Sequence, residues 1–121
     1  MHIRPCAFWL ASVTERLKFN QGSAVSMYII VGIHRPKPGK EQAVLEAIEK
    51  FGRAQRGHKG ALTLFTWKDE ATGALIGTAI WDSKNDYEAA LPEMVKEVEG
   101  IDFEPLERSS EVYRGSPVGW T

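Results

Sequence analysis

The sequence has little of what marks a disulfide-stabilised, zinc-binding or nucleic-acid-binding protein. Its single cysteine, Cys6, has no intramolecular disulfide partner, and no Cys-x-x-Cys pair indicates structural zinc. Its 15 basic and 16 acidic residues are mixed along the chain and leave a net charge of −1. Binding to nucleic acid or to anionic membranes requires clustered Lys and Arg, which are missing here. These features favour a protein of the reducing cytoplasm.

Recurrent catalytic and metal-binding motifs are also missing. The three histidines, His2, His34 and His58, share neither a helix face nor a strand spacing, and no carboxylate stands at ligand spacing beside them. No nucleophile elbow of the Gly-x-Ser-x-Gly type indicates a serine hydrolase, and the glycines form no phosphate-binding loop. We therefore expect neither a metal nor a cofactor.

No hydrophobic run is long enough to cross a membrane. Residues 1–26 contain a basic residue, Arg4, followed by a short apolar run, the outline of a weak signal peptide, but TERLK interrupts the run and no small-x-small site follows closely. The preferred interpretation is a poorly ordered extension, or an upstream start codon that is not used. We predict one domain over residues 27–115 and a tail over 116–121, since NQGSAVS before Met27 is typical of a linker.

The first predicted strand is apolar on both of its alternating faces. It runs from Tyr28 to His34, with Ile29 and its alternate neighbours on one face and Tyr28 and Ile30 on the other. The Arg-Pro-Lys-Pro-Gly segment then ends it, because proline donates no hydrogen bond to a sheet. A strand that is apolar on both faces must be covered on both sides.

The remaining chain predicts two helices and three further strands. An amphipathic pattern indicates a helix from Lys40 to about Arg56. Two strand-like runs, Ala61–Lys68 and Leu75–Trp81, are joined by a short Gly-containing link and predict a hairpin.

A second helix is predicted to begin after Ser83, which forms a capping-box-like pair with Asp86. Pro92 is expected to break or kink this helix, so that a second turn begins there. The segment LERSSEVYRG predicts a last strand centred on Val112 and Tyr113.

The order β-α-β-β-α-β predicts an α+β, ferredoxin-like fold, with an antiparallel four-stranded sheet and both helices on one face. The helices can cover only that face. Since the first strand is apolar on both, we predict a homodimer in which the sheets of two subunits face each other.

In three features the chain resembles the antibiotic biosynthesis monooxygenase superfamily of dimeric α+β barrels. These are the opening strand followed by KPGKEQ, the hairpin ending in IWDSKNDYEAAL, and a final strand after a short helix. The resemblance covers about residues 27–115. It implies a cofactor-independent monooxygenase that oxidises a small aromatic or phenolic substrate with O₂, in a pocket between the helices and the sheet of each subunit.

Five residues are candidates for that site. His34 could act as the catalytic base that takes a phenolic proton. The resemblance implies substrate-binding roles for Trp81, Trp67, Tyr87 and Arg35, since the quinone-forming enzymes use polar and aromatic pocket residues of these types. Each aromatic residue has core packing as its alternative role, and His34 could instead be a hydrogen-bonded histidine at the sheet rim.

Two other functions remain open. The same pocket could belong to a non-catalytic ligand-binding or stress-related barrel. The superfamily also includes haem-degrading enzymes, which combine an Asn on the first strand, a Trp at the end of the third and a His on the second helix. Only Trp81 matches this set here, which disfavours a haem-binding or haem-degrading protein.

Overall fold

The computed structural model describes residues 27–119. Six elements follow one another: β1 (Tyr28–Pro36), α1 (Glu41–Gln55), β2 (Ala61–Lys68), β3 (Leu75–Trp81), α2 (Lys84–Glu97) and β4 (Glu107–Gly115). This order confirms the predicted β-α-β-β-α-β, α+β fold. The predicted extension over residues 1–26, together with residues 120–121 of the predicted tail, lies outside the described residues.

The four strands form one antiparallel sheet in the order β2-β3-β1-β4. Strand β1 extends two residues beyond its predicted end at His34, because its last two residues pair with only one neighbouring strand, β4. The ladder with β3 stops at His34, whereas the ladder with β4 continues, after a register shift, to a pair between Pro36 and Glu107. The missing N–H of Pro36 therefore costs no hydrogen bond to β3.

The hydrophobic core lies between the helices and one side of the sheet, which we call the helix side. Tyr28, Ala79 and Trp81 of the sheet pack there with Ala90 and Met94 of α2. A second cluster joins Val44 and Ile48 of α1 to Leu75, and buries the apolar stripe that predicted this helix. The other side of the sheet, the open side, is covered by neither helix.

Helix α2 is continuous, so the predicted break at Pro92 is wrong. Its N-terminus is capped as predicted, since the Ser83 hydroxyl accepts a hydrogen bond from the backbone N–H of Asp86 at 3.0 Å. Pro92 removes only one intrahelical hydrogen bond, to the carbonyl of Glu88, and both residues are exposed, so water can satisfy that carbonyl. Buried Ala90 and Met94, on either side of the proline, hold the helix against the sheet.

No helix within residues 27–119 combines the length and apolar character that crossing a membrane would need.

Candidate functional site

A cavity of about 720 Å³ lies between the helix layer and the helix side of the sheet. Residues of both helices and all four strands line it, and much of its wall is apolar: Ile30, Leu64, Ala79, Leu91, Met94 and Val112. It is open to solvent along part of its length. A concave site of this size with mostly apolar walls is suited to a small organic ligand.

The floor of the cavity is formed by two glycines. Gly32 of β1 and Gly77 of β3 are directly paired across the sheet, and both line the cavity. A methyl group added to Gly77 would lie 3.2 Å from Cγ2 of Ile48, and one added to Gly32 would lie 3.3 Å from Nε2 of His34. Because neither glycine has a side chain, Ile48 and the His34 ring can occupy the space next to this pair.

A partly buried imidazole–carboxylate pair forms one end of the cavity. His34 Nδ1 lies 2.8 Å from Oε2 of Glu107, and their side chains are only 14% and 7% exposed. The Phe103 ring stacks on His34 with a centroid distance of 4.6 Å. In the tautomer whose Nδ1–H donates to the Glu107 carboxylate, Nε2, which lies beside Gly32, is the proton acceptor of the ring.

Two of the five predicted site residues, His34 and Tyr87, line this cavity. Tyr87 also contributes to the core, because its ring contacts Tyr28 and Trp81, each at a centroid distance of 5.5 Å. Trp81 is fully buried, and its indole N–H donates to Oε1 of Gln55 at 2.9 Å. This tryptophan supports the cavity from the core behind it.

The structure does not bring Trp67 or Arg35 to this cavity, because both lie at alternate strand positions that face the open side. The Trp67 indole N–H donates to Oγ1 of Thr78 at 3.1 Å. The Arg35 guanidinium pairs with Glu111 at 2.8 Å. The Glu111 carboxylate also accepts from the Tyr113 hydroxyl at 2.9 Å. Arg35 and this hydroxyl hold the pKa of Glu111 below its ordinary value, and the same carboxylate raises the pKa of Tyr113.

Sequence reasoning missed Glu107 and Phe103. Glu107 is 73 residues from His34 along the chain, and it reaches His34 only after the register shift between β1 and β4. No local motif marks either residue. A charged residue opening a strand was the only available signal, and it is a weak one.

Within residues 27–119, no three His, Cys, Asp or Glu side chains lie close enough together to hold a metal ion.

Fold and site together define a small α+β protein with a single sheet, two helices on one side and an apolar cavity beneath them. No protein-family model matches the sequence, and no curated protein matches it either. Solved structures do match this fold, and three of them are described next.

A proposed antibiotic biosynthesis monooxygenase from Chloroflexus aurantiacus J-10-fl is 25% identical, with a TM-score of 0.59, over 79% of this chain and 97% of its own. SnoaB, a cofactor-independent oxygenase from Streptomyces nogalater, is 10% identical, with a TM-score of 0.63, over 78% and 96%. A proposed antibiotic biosynthesis monooxygenase from Nitrosomonas europaea is 10% identical, with a TM-score of 0.62, over 77% and 91%. The chain therefore shares its fold with antibiotic biosynthesis monooxygenase-type structures, the fold that the resemblance predicted.

Proposed function

We propose that the protein is a cofactor-independent monooxygenase that oxidises a small phenolic substrate with O₂ in the cavity beneath the helices. The observation that carries this proposal is the His34–Glu107 pair, a base with an oriented free nitrogen at one end of an apolar cavity. The name of SnoaB, a cofactor-independent oxygenase of the same fold, supports it.

In the proposed reaction His34 removes the phenolic proton. Nε2 accepts this proton, and the Glu107 carboxylate stabilises the imidazolium that forms. The resulting phenolate is electron-rich and reacts with O₂, so that one oxygen atom enters the ring to give a quinone and the other leaves as water. The apolar walls keep bulk water away from the phenolate, and the Phe103 ring fixes the plane of the imidazole.

Oxygen uptake with a panel of anthrones and hydroquinones tests the proposal. We expect turnover by the native protein, and a loss of about 100-fold or more in His34→Gln, the range in which a general base contributes. His58→Gln is the matched control, because His58 lies in the loop after α1 and does not line the cavity. Circular dichroism checks that each variant is folded.

A folded native protein that consumes no oxygen with any member of the panel would contradict the proposal. Binding of the same compounds without oxygen uptake would favour the second candidate, a non-catalytic ligand-binding barrel, which the same apolar cavity supports.

We also propose that two copies of the chain associate through the open side of the sheet. Phe65, Trp67 and Tyr113 lie on this side and are 49%, 46% and 57% exposed. Tyr113 lies directly beside Val31 of β1, whereas Phe65 and Trp67 lie on β2, one strand further away across β3. Apolar residues packed together on one exposed surface mark an interaction site. Light scattering at micromolar concentration should give twice the 13.5 kDa chain mass, and a monomer mass would contradict the dimer.

A further inference from the structure

The end of the cavity away from His34 carries three arginines. Arg53 and Arg56 come from the C-terminal end of α1, and Arg114 comes from β4. Within residues 27–119, no carboxylate pairs with any of these three guanidinium groups. Four other Lys and Arg side chains in the same part of the chain do have such partners. Five further cations of the described residues also lack a carboxylate partner and do not line the cavity, namely Lys37, Lys40, Lys50, Lys96 and Arg108. The cavity therefore holds three of the eight Lys and Arg side chains within residues 27–119 that have no such partner.

The acidic residues that line the cavity do not cancel this charge. They are Glu107, which is already engaged by His34, and Glu49. Glu49 stands one helical turn before Arg53, yet the two are not paired. Arg53 has a further explanation, since a cation in the last turn complements the helix dipole. Arg114 lies on a strand, where that explanation does not apply.

The two ends of the cavity are a defined distance apart. Arg114 pairs with Ile30 across the β1–β4 ladder, and Ile30 precedes His34 by four residues on the same side of the strand. At about 3.3 Å per residue, the two backbone positions are about 13 Å apart. Apolar Leu91, Met94 and Val112 line the cavity along with these polar groups. Because strand side chains stand roughly perpendicular to the sheet, the separation of the two positions is itself the span to be filled. An aromatic ring with a hydroxyl group and a short acid-bearing arm fills it with one hydrogen bond at each end.

We infer that the cavity takes an aromatic carboxylate, with the carboxylate bound by Arg114 and the ring hydroxyl placed at His34. Guanidinium and carboxylate form two parallel hydrogen bonds, and the exposed Arg114 side chain is accessible to a ligand. The hydroxyl end of this assignment rests on the proposed function. The carboxylate end requires only that the cavity binds a ligand.

Calorimetric titration with 4-hydroxycinnamate and with its methyl ester tests the inference. The two probes share ring, hydroxyl and arm, and differ by one negative charge. We expect the native protein to bind the acid at least about tenfold more tightly than the ester. The variant Arg114→Gln should lose this preference and keep its affinity for the ester, and raised salt should weaken binding of the acid alone.

Lys50→Gln is the matched control, since it removes one positive charge from α1 at a residue that does not line the cavity, and it should keep the preference. Arg114→Lys keeps the charge but loses the fork of donors, and should keep part of the preference. Thermal melting confirms that each variant is folded.

Equal affinity for acid and ester, a preference that survives Arg114→Gln, or binding of neither probe would overturn the inference. The proposed monooxygenase activity is read separately, from oxygen uptake with uncharged anthrones. Uptake without a preference for the acid would remove only the inference, and a preference for the acid without uptake would remove only the activity.

Discussion

The two sides of the single sheet are built from the same strands and have different chemistry. On the helix side, directly paired residues such as Tyr28 and Trp81 are buried under α1 and α2, and glycines leave a cavity between them. On the open side, Ile76 and Ile80 of β3 are buried, whereas the aromatic residues Phe65, Trp67 and Tyr113 of the outer strands are about half exposed. Alternation in a strand assigns neighbouring residues to opposite sides. The proposed ligand binding and the proposed subunit contact can therefore use largely different side chains of one small sheet.

The ion pairs of the two sides differ in the same way. His34 and Glu107, on the helix side, are largely withdrawn from water and stacked under Phe103. Arg35 and Glu111, on the open side, are at least one-third exposed. Water screens the exposed pair, so its contribution to the free energy of unfolding is small in the single subunit.

Replacing one tryptophan on each side of the sheet with alanine should give the largest difference in the free energy of unfolding. Trp81→Ala removes a fully buried ring and its hydrogen bond to Gln55, so we expect the free energy of unfolding to fall by about 3–5 kcal/mol. Trp67→Ala, at a half-exposed position on the open side, should cost less than about 1 kcal/mol at dilutions where the monomer is populated. Urea denaturation measures both, and equal losses would contradict the assignment of sides.

A charge placed on the open side should separate the proposed dimer. Trp67→Glu would bury two carboxylates without partners in a symmetric interface. We expect the dissociation constant to rise by about 100-fold, or about 2.8 kcal/mol, as measured by analytical ultracentrifugation. Val118→Glu, at a fully exposed residue after β4, is the control and should leave the constant unchanged. A dimer unaffected by Trp67→Glu would exclude this side as the interface.

The smallest effect concerns titration on the open side. Because the Glu111 carboxylate raises the pKa of Tyr113, Glu111→Gln should lower that pKa toward the ordinary tyrosine value of 10.0. Absorbance of the phenolate follows the change, and Tyr113→Phe identifies its signal. Tyr113 stabilises the fold below its ordinary pKa, and this contribution is lost as the pH rises through the higher folded pKa.

Glu111 behaves in the opposite sense, because Arg35 and Tyr113 lower its pKa from the ordinary value of 4.5. Its contribution is present above that value and is lost as the pH falls through the folded pKa. A Tyr113 titration unchanged in Glu111→Gln would contradict the described contact.

Local sequence patterns were sufficient to predict the helices and strands, but they were not sufficient to predict the residues of the candidate site. The bounds of β2 and β3 were predictable residue by residue, since their runs end at turn residues such as Gly73, which has a φ of +80°. The continuity of α2 through Pro92 was not predictable, because the buried contacts of the helix stabilise it by more than the loss of one hydrogen bond destabilises it. Propensity alone does not contain those contacts.

Only some of the predicted site residues reach the cavity, for a similar reason. His34 and Tyr87 reach the cavity, while Trp67 faces the open side, and the sequence shows that strand residues alternate without showing which set faces the helices. The partner of His34 was harder still. Glu107 depends on a register shift between β1 and β4, and only the assembled sheet contains it.

The two paired glycines on the cavity floor can be replaced only by larger residues. No residue is smaller than glycine, so every substitution at Gly32 or Gly77 makes the cavity shallower. A variant of this chain that accepts a bulkier ligand must obtain the room elsewhere, for instance at Leu64 or Leu91 on the walls. A directed search for wider substrate range should therefore fix the two glycines and randomise the wall.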